Sequence, residues 1–114
     1  MAWKAVHRYA RISATKARLV VDMIRGRDVN EALDLLKFTP NRAAGLVRKT
    51  LASAVANADE AEADVELLYV ETAVVDEAPT IKRWKFKDRG RVFQIRKRNA
   101  HIMVAVEEER EGTD

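Results

Sequence analysis

Residues 81–98 read IKRWKFKDRGRVFQIRKR, and this stretch decides the fold. Nine of its eighteen residues are Lys or Arg, and Asp88 is its one acid. Apolar segments rich in β-branched residues flank it at residues 65–75 and 100–106. Such segments favour strands, so the pattern predicts a long antiparallel hairpin. Its outer half, residues 79–98, is too charged to belong to a hydrophobic core.

The length of this connection makes the hairpin a projecting arm. If the chain turns near Asp88, Arg89 and Gly90, each side of the arm holds about nine residues and spans about 30 Å. A compact domain of 100 residues has a radius of gyration of only about 13 Å. Gly90 supplies the positive φ that a tight turn favours. An isolated two-stranded ribbon is marginal in water, so we expect a polyanion to stabilise the arm.

Apolar residues at helical spacing predict three helices before the hairpin. Ser13 is a suitable N-cap for the first helix, and Gly26 is a suitable stop. The second helix is short, at about residues 30–36. The third begins with Thr39 as N-cap, followed by a proline in the first turn, and runs to about Ala63.

Two further segments are predicted to be strands, and the last segment is predicted to be a disordered tail. Residues 2–11 alternate loosely, which predicts an edge strand. Residues 65–75 are apolar at both parities, which predicts a strand covered by helices on one face and partly covered on the other. Residues 107–114 lack core side chains and are expected to be disordered. In the first of these segments Trp3, Ala5, His7 and Tyr9 fall on one side, and Lys4, Val6, Arg8 and Ala10 fall on the other.

These elements predict an α+β fold in which three helices pack on a small antiparallel three-stranded sheet with a long projecting β-hairpin. The 114 residues fit a single domain. Its globular body comprises residues 1–78 and 99–106, its basic hairpin residues 79–98, and its acidic tail residues 107–114.

Charge is segregated along the chain, although the net charge is only +3. Residues 1–27 carry seven Lys or Arg against one Asp, whereas residues 59–77 carry eight acids and no Lys or Arg. Two basic blocks and an acidic one predict a polyanion-binding face opposed by an acidic face. With no cysteine, no apolar run of signal-peptide length and none long enough for a membrane span, the chain is expected to be cytoplasmic.

The basic face predicts nucleic-acid binding, because Lys and Arg neutralise phosphates and aromatic rings stack on unpaired bases. Trp84, Phe86 and Phe93 either stack in this way or pack across the hairpin. His101 is expected to be packed or to contact RNA. The predicted RNA-binding residues are Arg8, Arg11, Lys16, Arg18, Arg25, Arg27, Lys82, Arg83, Trp84, Lys85, Lys87, Arg89, Gly90, Arg91, Arg96, Lys97, Arg98 and His101.

Other function classes fit the residues less well. The acids at 59–66 lack the glycine turn of a calcium loop, and the two histidines lack metal-ligand spacing, so neither metal nor cofactor is expected. No phosphate-cradling glycine loop or nucleophile elbow is present, which argues against an enzyme. An architectural DNA-binding protein with a basic β-arm is the main alternative, although the sequence predicts no dimer surface.

Several motifs resemble bacterial-type ribosomal protein twenty-two of the large subunit. Residues 7–27 (HRYARISATKARLVVDMIRGR) are similar to the N-terminal helix region of that family. The resemblance continues at residues 53–58 (SAVANA), at residues 75–79 (VDEAP), and at the pair GR at 90–91 with HIMVAV at 101–106. It covers about residues 5–106.

The resemblance implies an α+β body on the subunit surface and a hairpin that runs through 23S rRNA. Its tip, Phe86, Lys87, Asp88, Arg89 and Gly90, is implied to line the peptide exit tunnel beside the nascent peptide. Early assembly of the large subunit and contacts with neighbouring ribosomal proteins are also implied, without a homo-oligomer. Where the family has Pro-Arg-Ala at the tip, this chain has residues 86–88 (FKD), and Ala78 replaces a glycine before the proline.

Overall fold

A computed structural model of the chain describes the backbone of residues 2–87 and 91–109 and the side chains of residues 2–79 and 98–109. The elements formed by these residues confirm the α+β class. None of the helices in this part of the chain is long and apolar enough to cross a membrane. In chain order the elements are strand β1 (Trp3–Ala10), helices α1 (Ala14–Ile24), α2 (Val29–Phe38) and α3 (Arg42–Glu60), a 3₁₀ turn (Val65–Leu67), and strands β2 (Leu68–Lys87) and β3 (Arg91–Glu108).

The sheet is antiparallel, and β3 is its central strand in the order β1-β3-β2. β1 therefore lies at an edge, as predicted. From Ala100 to Val106 every second residue of β3 is fully buried, because successive side chains point to opposite faces of a sheet. That buried face packs against the helices, of which α3 contributes a stripe of small and medium residues. The buried residues of these two elements include Ala100, Ile102, Val104, Val106, Ala43, Ala44, Val47, Leu51 and Ala54.

A bulge in β2 accounts for apolar residues at both parities. The pairing with β3 shifts register between Val70 and Thr72, so one extra residue reverses the parity of the strand. Leu68 and Val70 before the bulge and Ala73 after it consequently belong to the same buried cluster. On the other parity Val74 is 36% exposed, so the second face is only partly covered, as predicted.

A second bulge interrupts the alternation of β1 at Tyr9. The pairing of β1 with β3 shifts register between His7 and Ala10. Within this bulge Tyr9 has a φ of 56°, and its side chain is 59% exposed, whereas Trp3, predicted on the same side of the strand, packs against the core. Tyr9 donates its backbone N–H to Nδ1 of His101 at 3.0 Å, which holds the bulge to the central strand.

The predicted ends of α1 are confirmed. Ser13 caps the helix and accepts a hydrogen bond from the backbone N–H of Lys16 at 3.4 Å. Gly26 follows the C-cap with a φ of 82°, a conformation that glycine adopts without strain. The backbone N–H of Gly26 donates to the carbonyl of Val70 at 2.9 Å. The backbone N–H of Val70 in turn donates to the carbonyl of Arg27, also at 2.9 Å. The connection from α1 to α2 is thereby paired with the edge of β2.

The helix α3 begins later than predicted. Its N-cap is Asn41, whose side chain accepts from the backbone N–H of Ala43 at 3.0 Å. Thr39 belongs to the end of α2, where its hydroxyl donates to the carbonyl of Leu35 at 2.7 Å. Since a threonine hydroxyl can bond the preceding turn as well as cap the next helix, the sequence alone did not distinguish the two roles.

The helix α3 ends in a Schellman turn at Glu60, short of the predicted Ala63. The backbone N–H of Ala63 donates to Ala58 at 3.0 Å, and that of Glu62 donates to Asp59 at 3.0 Å. Glu62 consequently has a φ of 63°, in the left-handed region where a Cβ atom is strained.

Replacing Glu62 with glycine should stabilise the protein by about 0.5–1 kcal/mol, because glycine adopts this φ without a Cβ penalty. Chemical denaturation of the full chain measures the difference. Glu60→Gly is the matched control, since Glu60 lies within α3 and glycine there should destabilise the helix by about 1 kcal/mol. Equal destabilisation by both changes would contradict the strain at Glu62.

The strand β3 extends further than predicted and includes part of the expected tail. Glu107 and Glu108 lie in β3, opposite Tyr69 and Leu68. Glu109 donates its backbone N–H to the carbonyl of Leu67 at 2.7 Å. Backbone pairing thus orders three residues whose side chains contribute nothing to the core. Residues 110–114 lie outside the described residues.

The two long strands continue past the body as the predicted arm. Their pairing shifts register between Ala78 and Ile81 and then continues to the pair of Lys87 with Arg91. At the shift, the buried side chain of Asn99 donates to the carbonyl of Pro79 at 3.2 Å. The molecule measures 69 × 24 × 24 Å, an elongation that a compact body of this length does not have.

Candidate nucleic-acid interface

The arm is the first part of the candidate interface. Its backbone pairing places Trp84 opposite Gln94, Phe86 opposite Val92, and Lys85 opposite Phe93. No two of the three arm aromatics are therefore direct cross-strand partners. Direct pairing of two of these aromatics would have favoured packing across the arm over base stacking. The predicted turn at residues 88–90 lies outside the described residues, as do the side chains of residues 80–97.

Three predicted RNA-binding arginines of the body, Arg18, Arg25 and Arg27, have hydrogen-bond partners within the fold. Arg18 donates from Nε at 3.2 Å and from Nη2 at 2.9 Å to the carbonyl of Val75. Arg25 donates to the carbonyl of Ala73. Because β2 is an edge strand, these carbonyls have no neighbouring strand to pair with, and the two guanidinium groups take that place. The sequence did not indicate this structural role.

Arg25 and Arg27 are also paired with acids that lie three and four residues away in the chain. Arg25 donates to Asp22 at 2.7 Å, and Arg27 donates to Glu31 and to the carbonyl of Met23. A guanidinium has five donors, so these contacts leave some N–H groups for a phosphate. The contacts shown by the structure hold the loop after α1, and RNA binding by both arginines stays a prediction.

Three other predicted residues converge on one cleft at the root of the arm. Arg11, Lys16 and Arg98 line it together with Arg42, which sequence reasoning missed. The volume of the cleft is about 640 Å³, and no acidic side chain of the described residues lines it. The signal for Arg42 was available, since it is a cation in the first turn of the predicted third helix. What the sequence could not indicate was the proximity of residue 42 to residues 11 and 98.

Arg8 lies apart from that cleft. It lines a smaller depression between β1 and α3, of about 280 Å³, together with His7 and Lys49. Lys49 was not among the predicted residues, although the basic pair Arg48 and Lys49 in α3 is visible in the sequence. The body therefore presents two separate basic surfaces.

His101 lies on β3 and contacts Tyr9 in the bulge of β1. Its Nδ1 accepts the backbone N–H of Tyr9, and the two rings meet edge to face with centroids 4.7 Å apart. Since Nδ1 is the acceptor, the neutral ring carries its proton on Nε2. This geometry gives His101 a packing role and leaves Nε2 as the one ring nitrogen able to donate to RNA.

The end of the sheet farthest from the arm tip is acidic. A groove there is lined by Asp28, Glu66 and the three glutamates at 107–109. The carboxyl of Glu107 shares a hydrogen bond with Glu71 and raises the pKa of Glu71. Crowded carboxylates at one end and cations at the other give the molecule the segregated charge that the sequence predicted.

A comparison with family models matches residues 5–107 to the model described as ribosomal protein L22p/L17e. The chain belongs to this family. The match confirms the resemblance found in the sequence motifs. It begins within β1, includes all three helices and both strands of the arm, and covers every residue of the basic cleft.

Individual members of the L22p/L17e family agree over almost the whole chain. "Large ribosomal subunit protein uL22" of Desulfitobacterium hafniense is 53% identical over 110 residues, which cover 96% of this chain and 96% of the relative. The protein of the same description in Halothermothrix orenii is 47% identical over 110 residues, covering 96% and 97%. That of Aquifex pyrophilus is 47% identical over 110 residues, covering 96% and 83%.

Proposed function

We propose that this chain is a structural, non-catalytic constituent of the large ribosomal subunit in the cytoplasm, and that it binds 23S rRNA. The observation that carries the proposal is the arm, the outer part of two paired strands of 20 and 18 residues that continue from the body. Membership in the L22p/L17e family supports the ribosomal setting, because its relatives are described as large-subunit proteins.

The charge of the arm supports a polyanion as its partner. Nine cations within residues 81–98 repel one another, and a dense row of phosphates relieves that repulsion more fully than scattered surface acids do. Besides the cations in the sequence of the arm, the body has cations in two separate depressions. Folded RNA presents phosphates at irregular angles, which suits such separated surfaces better than the regular groove of duplex DNA.

We further propose that the tip of the arm lines the peptide exit tunnel. The paired strands of the arm continue to Lys87 and Arg91 in a molecule 69 Å long, so the tip can reach well inside rRNA while the body stays at the surface. The nascent peptide and neighbouring large-subunit proteins are the additional partners that follow from this placement.

Sedimentation tests the ribosomal assignment. We expect the tagged chain, expressed in bacterial cells, to migrate with the large subunit and to stay bound through a moderate salt wash. Recovery of the chain on chromosomal DNA, or free at low density, would contradict the proposal. The first of these outcomes would instead favour an architectural DNA-binding protein.

Photocrosslinking tests the tunnel assignment separately. A photoreactive amino acid at Phe86 should crosslink to a stalled nascent peptide in assembled ribosomes. The control places it at Val6, which is 42% exposed on β1 of the body and should give no peptide adduct. A chain that assembles into the subunit but crosslinks only to RNA from position 86 would refute tunnel lining while leaving rRNA binding intact.

A further inference from the structure

We propose that the cleft between the N-termini of α1 and α3, at the root of the arm, is a binding site for backbone phosphates of RNA. This inference rests on the proposed function and adds a defined site to it. The four cations that form the site are Arg11, Lys16, Arg42 and Arg98.

The first argument is that these four cations have no competing partner among the described residues. Arg18, Arg25 and Arg27 all donate to carbonyls or carboxylates of the protein. By contrast, no side-chain hydrogen bond or ion pair joins any of the four cleft cations to the described part of the chain. Cations gathered in one cleft without acids repel each other, and a bound anion would offset that repulsion.

The second argument concerns the two helix N-termini that border the cleft. Ser13 caps α1, Asn41 caps α3, and both residues line the cleft. Neither helix has an acidic residue in its first turn, so the partial positive charge of each N-terminus is not neutralised locally. Two such ends add to the field of the four side chains and favour an anion between them.

The caps also leave donors for that anion. The Ser13 oxygen accepts a bond from Lys16 N–H, so its own hydroxyl proton is available to donate. The Asn41 side-chain oxygen accepts from Ala43 N–H, which leaves the amide NH₂ of Asn41 available. The cleft therefore offers neutral donors as well as cations, the combination that phosphate oxygens receive in protein–nucleic acid contacts.

The lining also indicates which phosphate compound binds. The volume of the cleft, about 640 Å³, exceeds that of a single phosphate, and the cleft is open to solvent. No aromatic side chain of the described residues lines it, so no platform exists there for a base. The cleft accordingly suits the sugar–phosphate backbone of RNA rather than a free nucleotide, and its contacts carry no base specificity.

The position of the cleft connects it with the arm. Arg98 lies on β3 next to Asn99, whose pairing with Ala78 precedes the register shift where the arm begins. An RNA bound to the cleft is thus held at the base of the arm. Two contacts on one RNA raise the effective concentration of the second contact, so loss of the cleft weakens binding beyond its local contribution.

The test compares two double variants of the full chain that each remove one Lys and one Arg. Lys16→Gln with Arg42→Gln alters the cleft. Lys37→Gln with Arg48→Gln is the matched control, since both residues are exposed on helices and lie outside the cleft. Binding to 23S rRNA is measured at several salt concentrations, and thermal unfolding verifies that both variants are folded.

We expect the cleft variant to bind 23S rRNA about 100-fold more weakly than the wild type at moderate salt, and the control within about threefold. The dependence of log affinity on log salt should flatten by about 1.5 in the cleft variant alone. If the wild type binds and the two variants are equally affected, the cleft site is refuted and the proposed function stands. If the wild type itself does not bind 23S rRNA, the proposed function fails as well.

Discussion

Neutralising three cations of the arm should weaken binding to 23S rRNA by a factor on the order of 10²–10³ at moderate salt. The variant is Lys82→Gln, Arg83→Gln and Lys85→Gln in the full chain. If each residue contacts one phosphate, the three lost contacts should also flatten the slope of log affinity against log salt by about 2–3. Filter binding over a range of potassium chloride concentrations measures both quantities.

The control for the arm variant removes the same charges elsewhere. Lys4→Gln, Lys37→Gln and Arg48→Gln also take away two Lys and one Arg, from exposed positions on β1, α2 and α3. A large loss from the arm variant with a small loss from the control would assign binding to the arm. Equal losses would show that net charge alone governs the affinity, and would remove the support that the arm gives to the proposed function.

Replacing Leu51 with alanine should cost about 3 kcal/mol of unfolding free energy, the largest stability effect that we expect from a single substitution. Leu51 is fully buried in α3, within the cluster that joins the helices to the sheet. Its removal leaves a cavity that close-packed neighbours only partly fill. For a domain of this size the midpoint of thermal unfolding should fall by more than about 10 °C.

Leu19→Ala is the matched control for Leu51→Ala. Leu19 lies on α1 and is 65% exposed, so its truncation should change the unfolding free energy by less than about 0.5 kcal/mol. Calorimetry or denaturant unfolding compares the two variants. A Leu51→Ala protein as stable as the Leu19→Ala protein would contradict the core assigned to α3.

Local chemistry explains most of what the sequence predicted correctly. Ser13 and Gly26 bound α1 because a cap and a left-handed stop act within one turn of the helix. The alternation at residues 100–106 gave the central strand, since side chains along a strand point to opposite faces. Where two local roles competed, as at Thr39, the prediction was wrong.

The two bulges could not be derived in this way. Each places an extra residue in one strand opposite a regular partner, so it depends on the register between residues far apart in the chain. The bulge after Val70 reverses the parity of β2, and the bulge before Ala10 turns Tyr9 outward. In neither place does the side-chain pattern alone reveal where the alternation breaks.

By itself the sequence determined the fold class, the helix and strand content, the basic arm and the family resemblance. These depend on composition, spacing and near neighbours, which are read directly from residues in order. The tertiary structure alone decided how each cation is used. Arg18 and Arg25 look equivalent to Arg11 and Lys16 in the sequence, yet the first two bond carbonyls of β2 and the others face a cleft with Arg42 and Arg98. The physical reason is that a long cationic side chain pairs with whatever acceptor the fold brings within reach, and that acceptor is set by packing between distant segments.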